Sequence, residues 1–352
     1  MSDKLPCFQK DESISASISF LRFPLTVMIV MYHCYCVQIP HGQPLYAALI
    51  YPFGLMLGET GVPAFFFISG FLFFYSKRKL SQQLRSRITT LFVPYLLWNA
   101  LILLVYVSLM VVGHPLIIGD KSITDFQFTD YIRAFVDRGD WNDGNGQPLL
   151  CPYWYVRNLL LLSLAAPILR YMMKLNTGIV VLFALLIWWI SLPYNGMLAQ
   201  SLLFYCMGAF FSINKINPLK LDTPLQEKLL VSIWIVFVCL DWLMHFWIPM
   251  SGALFVHRLV LILNIFVFWR VACYTSTIVH TPQIMEKSSF WIYTTHYPFT
   301  ILIRETRPVL TDWEQMGFYW ISVLMVVAIC IFTYWIGQKI VPKMMAVLTG
   351  NR

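Results

Sequence analysis

Residues 16–38 read ASISFLRFPLTVMIVMYHCYCVQ, a run whose only basic side chains are Arg22 and His33 and which has no acidic side chain. A helix needs about 20 predominantly apolar residues to cross the roughly 30 Å hydrocarbon core of a bilayer. This stretch therefore predicts a membrane-spanning helix. Stretches of the same kind recur along the whole chain.

The composition is that of a membrane protein. Of the 352 residues, 59% are hydrophobic and only 12% are charged, which is about half the charged fraction of a typical soluble domain. We predict an all-α fold, a polytopic membrane helix bundle of about ten transmembrane helices. The second span is too long for one straight crossing, and Gly58-Glu59-Thr60-Gly61 is expected to break it. The predicted spans cover approximately residues 16–38, 46–75, 89–112, 152–173, 178–193, 198–214, 229–249, 254–273, 288–305 and 317–340.

The distribution of Lys and Arg predicts the orientation of the bundle. With the N-terminus in the cytoplasm, 18 of the 25 Lys and Arg residues fall at inner ends and loops and 7 at outer ones. This excess follows the positive-inside rule, so both termini are predicted to be cytoplasmic. The same asymmetry explains the net charge of +8. Binding of nucleic acid would instead need the basic residues on one exposed face.

This orientation divides the chain into a cytoplasmic tail over residues 1–15, a transmembrane domain over 16–341 and a cytoplasmic tail over 342–352. The first tail lacks the basic region and cleavage site of a signal peptide. An outer loop over about 113–151 combines six Asp with aromatic residues, which suits either a sugar-binding surface or a solvated loop. The eight cysteines are scattered without CxxC spacing, so neither a metal site nor a disulfide framework is predicted.

Two ionisable residues in the first span are candidates for chemistry, because such groups are costly inside a bilayer. Arg22 and His33 are 11 residues apart, which places them about 20° from one another around a helix and about 16 Å apart along its axis. One stripe thus offers an anion-binding group near the inner end and a proton-transfer group in the outer half. The structural alternative is a snorkelling Arg and a hydrogen-bonded core His.

An Arg followed after ten residues by a His in the first span resembles acyltransferase family 3, integral-membrane enzymes that O-acylate cell-surface glycans. Further segments match that family in the same order. They are Gly61–Phe71 (GVPAFFFISGF), Arg85-Ser86-Arg87 leading to Val93-Pro94-Tyr95, Tyr153–Leu159 (YWYVRNL) and Ser289–His296 (SFWIYTTH). The resemblance covers nearly the whole chain. Two departures are Glu59 in the second span and the lack of a hydrolase-like domain after the last span.

The resemblance implies transfer of an acyl group, with acetyl the simplest case, from cytoplasmic acyl-coenzyme A to a hydroxyl of an extracytoplasmic glycan. His33 is the candidate general base and Glu59 its orienting partner. Trp154 and Arg157 are expected to bind the acceptor. Phosphates of the donor need Arg or Lys at the inner mouth, while its pantetheine arm is expected along the Arg22–His33 stripe. The residues assigned to acyl-coenzyme A are Arg22, Arg85, Arg87, Ser69, Tyr293 and His296.

Some of these residues have other interpretations. The basic residues at the inner mouth include Lys77, Arg78 and Lys79, which the positive-inside rule alone explains. Ser69 is typical of helix packing or of a covalent nucleophile. His296 could line the cavity, orient the acyl donor or cap a Pro-broken stretch. For the whole chain, a transporter or flippase of a lipid-linked sugar or acyl donor is the competing function, and a receptor is a weaker one. We expect an integral protein of the bacterial inner membrane, with lipid, acyl-coenzyme A and a glycan as partners and no bound cofactor.

Overall fold

The computed structural model describes residues 11–38, 44–114, 117–118, 121–137, 146–191, 196–217, 223–247, 250–279, 281–305 and 310–350. Within these residues the chain is almost entirely helical, which confirms the all-α prediction. The α-helices are α1 (Asp11–Gln38), α2 (Pro44–Tyr51), α3 (Gly61–Tyr75), α4 (Leu80–Arg87), α5 (Val93–Val111), α6 (Phe128–Arg133), α7 (Trp154–Leu175), α8 (Thr177–Ile190), α9 (Gly196–Ile213), α10 (Pro224–Trp247), α11 (Met250–Thr275), α12 (Gln283–Glu305), α13 (Asp312–Ile340) and α14 (Pro342–Leu348). The antiparallel strands β1 (Ile117–Ile118) and β2 (Lys121–Ser122) lie in the predicted outer loop.

Seven helical stretches of the described chain are long and apolar enough to cross a membrane: Ile14–Cys36, Ala48–Tyr75, Leu80–Val111, Cys151–Leu175, Pro224–Phe246, Leu254–Thr275 and Trp313–Ile340. They correspond to seven of the ten predicted spans. The other three predicted spans are helices too, but α8 and α9 are short and α12 carries charged residues at both ends. The number of crossings and the cytoplasmic placement of the termini stay predictions.

The second span changes helix type where the sequence predicted a break. Helix α2 runs into a π-helix over Pro52–Leu57, which is followed by a 3-10 turn over Gly58–Thr60 and then by α3. Glycine allows this irregular segment to lie against α1. A Cβ atom added at Gly58 would lie 2.9 Å from the Cβ of Tyr32, and one at Gly61 would lie 2.7 Å from the carbonyl oxygen of Leu25. Both distances are shorter than side-chain packing tolerates, so larger residues would push the two segments apart.

The chain forms two compact units, the first from residues 1–68 and 214–335 and the second from residues 69–213 and 336–352. In the first unit α1 packs along α12 and α11, and α10 pairs with α11. Helix α12 is continuous through Pro298, so the predicted broken stretch after His296 is wrong. The core of this unit contains Val30, Cys34, Tyr35, Ile50, Tyr51, Met56, Val260, Ile292, Tyr319, Val323, Val326 and Cys330.

In the second unit α8 and α9 form a hairpin that packs on α7. The predicted C-terminal tail contains α14, which packs against α5. The indole N–H of Trp98 donates to the carbonyl oxygen of Leu348 at 3.1 Å, which ties the two helices together. Among the cysteines of the described chain, Cys273 is disulfide-bonded, a bond that the scattered spacing did not predict. The free thiols are those of Cys34, Cys36, Cys151, Cys206, Cys239 and Cys330.

Candidate functional site

His33 lies on α1 among aromatic rings. Its ring centroid is 5.1 Å from that of His296 and 5.1 Å from that of Tyr297, both on α12. The ring of Tyr32 packs edge-on at 5.3 Å. The imidazole is only half-buried. Within the described residues neither ring nitrogen of His33 forms a hydrogen bond.

His296 is fully buried beside His33. Its Nδ1 lies 3.0 Å from the carbonyl oxygen of Ile292, one turn earlier on α12. Because a carbonyl oxygen can only accept, Nδ1 carries the proton and the Nε2 of the neutral ring is a hydrogen-bond acceptor. That Nε2 is buried and has no hydrogen-bond partner within the described part of the chain. A buried polar atom without a partner is costly, so the atom is suited to a donor group from a bound molecule.

Tyr293 and Arg22 are the other two residues of this unit that were predicted to bind acyl-coenzyme A, and they lie in different surroundings. Tyr293 is buried one turn before His296, and their ring centroids are 6.2 Å apart. Arg22 is exposed on the same continuous helix as His33, and its carbonyl oxygen accepts from the hydroxyl of Thr26 at 2.8 Å. The structure therefore brings together His33, His296 and Tyr293. It leaves the guanidinium of Arg22 accessible from solvent or lipid headgroups.

Glu59 belongs to a partly buried chain of ionisable groups, which we call the carboxylate clamp and which consists of Glu59, His257 and Asp241. The Nε2 of His257 lies 3.1 Å from Glu59 Oε2, and its Nδ1 lies 2.8 Å from Asp241 Oδ2. The hydroxyl of Tyr51 donates to Asp241 Oδ1 at 3.3 Å. Both ring nitrogens face carboxylate oxygens, so a doubly protonated imidazolium satisfies both partners at once. The buried Arg258 follows His257 in the chain.

Exposure increases along the clamp. The side chain of Asp241 is 0% exposed, that of His257 10% and that of Glu59 31%. The deeply buried carboxylate thus depends on His257 for its charge compensation, whereas Glu59 keeps access to bound molecules. The sequence predicted Glu59 as the partner of His33, and this role stays a prediction. The observed bond of Glu59 is to His257.

Asn264 supports the irregular segment that carries Glu59. Its side-chain amide donates to the carbonyl oxygen of Met56 at 3.1 Å and to the hydroxyl oxygen of Thr60 at 2.8 Å. Its Oδ1 accepts from the indole N–H of Trp234 at 2.6 Å. A break in α-helical geometry frees backbone carbonyls that need partners away from water. The fully buried Asn264 supplies such a partner from α11.

The predicted donor residues of the second unit lie at two places. Arg85 is exposed, while the half-buried Arg87 lies over the ring of Phe73 with its guanidinium carbon 5.8 Å from the ring centroid. Ser69 is half-buried on α3, next to Gly70. A Cβ added at Gly70 would overlap the backbone of Tyr205 on α9. This close approach is typical of small residues at helix interfaces and supports the packing interpretation of Ser69.

The two residues predicted to bind the acyl acceptor, Trp154 and Arg157, lie in the first turn of α7. Trp154 is half-buried there. The guanidinium of Arg157 donates to the carbonyl oxygens of Val136 and Gly146 and, at 3.0–3.2 Å, to Oδ1 of Asn158. Since both carbonyls belong to the outer loop, Arg157 fastens that loop to α7. A glycan bound at Arg157 would have to share the guanidinium N–H groups with these oxygens.

The outer loop has a second internal anchor in Asp130. Its carboxylate accepts from the backbone N–H of Gln127 at 3.0 Å and lies 3.3 Å from the ammonium of Lys121. The Gln127 N–H, followed by Lys121, lowers the pKa of Asp130 below its ordinary value. One of the six loop carboxylates is therefore structural rather than free for a sugar. Trp141 and most of the turn at 142–146 lie outside the described residues.

Sequence reasoning missed the partners of Glu59. Asp241 and His245 are four residues apart on α10, and His257 and Arg258 are consecutive on α11, but nothing in that spacing joins them to Glu59. The sequence places these three groups on separate spans, so only the packing of the helices shows that they meet. Within the described residues no group of three His, Cys, Asp or Glu side chains has an arrangement suited to a metal ion.

Comparison with known proteins places the chain in a family. Residues 15–335 match the acyltransferase domain of acyltransferase family 3. The chain is also 24% identical over 378 aligned residues to the succinoglycan biosynthesis protein ExoH of Rhizobium meliloti (strain 1021), an alignment that covers 97% of this chain and 94% of that protein. No solved structure matches the chain significantly. The family match covers nearly all of the chain, including His33, Glu59 and His296, so this protein belongs to acyltransferase family 3 and is a membrane acyltransferase of the O-acyl-transferring type.

Proposed function

We propose that the protein transfers an acyl group from cytoplasmic acyl-coenzyme A to a hydroxyl of an extracytoplasmic polysaccharide, with His33 as the general base. The observation that carries this proposal is the pair of imidazoles on α1 and α12. His33 has no hydrogen bond to a described residue, and the Nε2 of the adjacent His296 is a buried acceptor without a partner among them. Open acceptor nitrogens are what a base and a binding group need before substrate arrives.

The reaction requires few groups from the protein. The hydroxyl oxygen of the acceptor attacks the thioester carbonyl carbon, and His33 takes the hydroxyl proton as the new C–O bond forms. The C–S bond then breaks, and the proton passes from His33 to the leaving thiolate of coenzyme A. His33 must be neutral to accept the proton. Two imidazolium ions with rings about 5 Å apart would repel each other in apolar surroundings, which favours a neutral ring in this pair.

His296 is better suited to binding than to proton transfer. Its Nδ1 proton is already committed to the carbonyl oxygen of Ile292, so its Nε2 offers a lone pair to a donor. The pantetheine arm of coenzyme A has amide N–H groups that fit such an acceptor. Tyr293, buried one turn away, would line the same part of the donor path. Arg22, near the other end of the α1 stripe, is assigned to the donor as well.

The phosphates of the donor need cations, and Arg85 and Arg87 at the end of α4 are assigned to them. The acceptor is assigned to the glycan class because the related protein is named for succinoglycan biosynthesis. Acetyl is the proposed acyl group and the inner membrane the proposed location. Trp154 and Arg157 are proposed acceptor contacts, and Ser69 a residue of the donor path.

Glu59 is proposed as the second catalytic group. Gly58 lies against Tyr32, the residue before His33, so the turn that carries Glu59 is next to the base-bearing part of α1. The carboxylate is 31% exposed and so can meet a substrate hydroxyl. His257 would then hold Glu59 in the ionised state that orients an imidazole or a hydroxyl.

The direct test uses purified protein in detergent with acetyl- or succinyl-coenzyme A labelled in the acyl group and a polysaccharide acceptor. Wild-type protein should move the label to the acceptor and release free coenzyme A. His33→Gln should lower transfer about 100- to 10,000-fold, because glutamine cannot take a proton near neutral pH. Coenzyme A affinity should change little.

A matched control is His114→Gln, which makes the same change at an exposed histidine after α5. It should transfer at the wild-type rate. Near-normal transfer by His33→Gln would show that His33 is structural and would send the search for the base to Glu59 and His296. Uptake of label into proteoliposomes without release of coenzyme A would support a carrier instead.

A further inference from the structure

Two guanidinium groups of the second unit lie over neighbouring phenylalanine rings. The guanidinium carbon of Arg87 is 5.8 Å from the ring centroid of Phe73, and that of Arg170 is 5.5 Å from the ring centroid of Phe74. Phe73 and Phe74 are consecutive on α3, with ring centroids 5.6 Å apart. Helix α7, which carries Arg170, packs on α4, which ends at Arg87. The two cations therefore belong to one cluster of helices.

A buried tyrosine joins this cluster. The ring centroid of Tyr205 on α9 is 6.3 Å from that of Phe73 and 6.2 Å from that of Phe74. Tyr205 is fully buried, and its hydroxyl has no hydrogen-bond partner within the described part of the chain. Its backbone is fixed by the close approach of Gly70. A rigid, buried hydroxyl without a partner calls for a ligand group, because tyrosine hydroxyls are usually bonded when buried.

The charges point to an anion. Within the described residues neither Arg87 nor Arg170 forms an ion pair or a side-chain hydrogen bond. A guanidinium held against an aromatic ring keeps its N–H groups directed outward along its edge, where they match the oxygens of a phosphate. The two guanidinium groups offer only donors, and the phenolic hydroxyl can donate its proton as well. A phosphate offers only acceptors at its oxygens, which makes it a suitable ligand for the set.

We propose that Arg170 and Tyr205, together with Arg87, bind a phosphate group of the acyl donor. This inference rests on the proposed function, which assigns Arg87 to acyl-coenzyme A, and adds two residues on separate helices to that assignment. Arg170 supplies a second fork of N–H donors, and Tyr205 donates its hydroxyl proton to a phosphate oxygen. The aromatic pair Phe73–Phe74 sets the positions of both guanidinium groups.

The test compares coenzyme A binding by isothermal calorimetry in detergent for four proteins. Arg170→Gln should weaken binding about ten- to hundredfold and Tyr205→Phe about three- to tenfold, the usual effects of losing a charged and a neutral hydrogen bond. The control is Lys174→Gln, which removes one positive charge at an exposed position one turn further along α7. It should bind like wild type if Arg170 contacts the phosphate directly. A general attraction between positive charge and coenzyme A would instead make Arg170→Gln and Lys174→Gln equally weak.

Binding of a second ligand, pantetheine, shows whether Arg170 contacts the phosphates or the arm of coenzyme A. Pantetheine carries the same arm without the nucleotide phosphates, so Arg170→Gln and wild type should bind it equally. If Arg170→Gln does not fold, Arg170→Lys keeps the charge but loses the fork, and it should bind coenzyme A more weakly than wild type. Folding is checked in each variant by thermal melting.

The outcomes separate this inference from the proposed function. Unchanged coenzyme A affinity in Arg170→Gln and Tyr205→Phe, with normal acyl transfer, would overturn this inference alone. It would also be overturned if Lys174→Gln weakened binding equally, or if the variants lost affinity for phosphatidylglycerol in nanodiscs but not for coenzyme A. Wild-type protein that binds no coenzyme A and transfers no acyl group would overturn the proposed function and this inference together.

Discussion

Replacing Asp241 by Asn tests whether the carboxylate clamp holds the first unit together. Asp241 is fully buried, and both of its carboxylate oxygens are used, one by His257 at 2.8 Å and one by the Tyr51 hydroxyl at 3.3 Å. Asparagine keeps the shape and removes the charge, so His257 loses its buried counterion. Breaking a buried pair by removing one partner costs about 3–5 kcal/mol.

That cost can be converted into a melting temperature. With about 2.1 cal/mol/K of unfolding entropy per residue, a chain of this length loses roughly 4–7 °C for about 3–5 kcal/mol. Glu59→Gln should lower the melting temperature less, because the Glu59 side chain is 31% exposed and its pairing is partly screened by solvent. The assay is thermal unfolding of purified protein in detergent, followed by intrinsic fluorescence.

A double-mutant cycle decides whether the effect passes through the imidazole. If Asp241 acts by compensating His257, the Asp241→Asn change should cost much less in a His257→Gln background than in wild type. Glu305→Gln, at an exposed surface pair with Arg304, is the control and should barely change the melting temperature. Additive losses in the double mutant, or a larger loss for Glu59→Gln than for Asp241→Asn, would refute the reasoning.

Three further substitutions test the packing around the proposed sites. Asn264→Leu should lower the free energy of unfolding by about 1–3 kcal/mol, because it leaves the indole N–H of Trp234 without its acceptor and removes one of the donors to the carbonyl of Met56; unchanged melting would mean that the irregular segment supports itself. Gly70→Ala should cost about 1–3 kcal/mol by overlap with a neighbouring helix. In contrast, Gly317→Ala, where the added methyl group meets open space, should be neutral or stabilising, and equal losses in the two variants would contradict overlap as the cause of the loss at Gly70. Arg157→Lys should speed proteolysis of the outer loop, since lysine cannot bridge both loop carbonyls; an unchanged cleavage rate would contradict its role as an anchor.

The sequence predicted those parts of the fold that depend on local pattern. The apolar run at 16–38 is one continuous helix, and Arg22 and His33 lie on it as expected. The glycines at 58 and 61 marked the change of helix type, because glycine is the residue that tolerates close backbone approach. The predicted spans outside the seven helices that are long and apolar enough to cross a membrane are those that are short or that carry charged residues at their ends.

Local sequence pattern could not predict which helices contact one another. The four-residue spacing of Asp241 and His245 suggested a pair on one helix face, yet Asp241 bonds to His257 on the next helix. His245 instead stacks on the ring of Tyr51, with centroids 3.9 Å apart. Periodicity reports which face of a helix a residue occupies and not which helix that face meets. The three-part clamp therefore could be found only once α10 and α11 were placed.

The clamp and Asn264 together explain how an irregular segment can hold Glu59, the proposed second catalytic group, in place. A π-helix and a 3-10 turn are less strongly hydrogen-bonded than an α-helix, so Glu59 would be poorly fixed by its own backbone. Helix α11 supplies what is missing, with His257 on the carboxylate of Glu59 and Asn264 on the carbonyl of Met56. On the opposite side Gly58 lies against Tyr32 of α1. The position of Glu59 relative to α1, the helix of the proposed base His33, is thus set in part by side chains of α11. On the proposed mechanism, substitution of His257 or Asn264 should therefore impair transfer although His33 is unchanged.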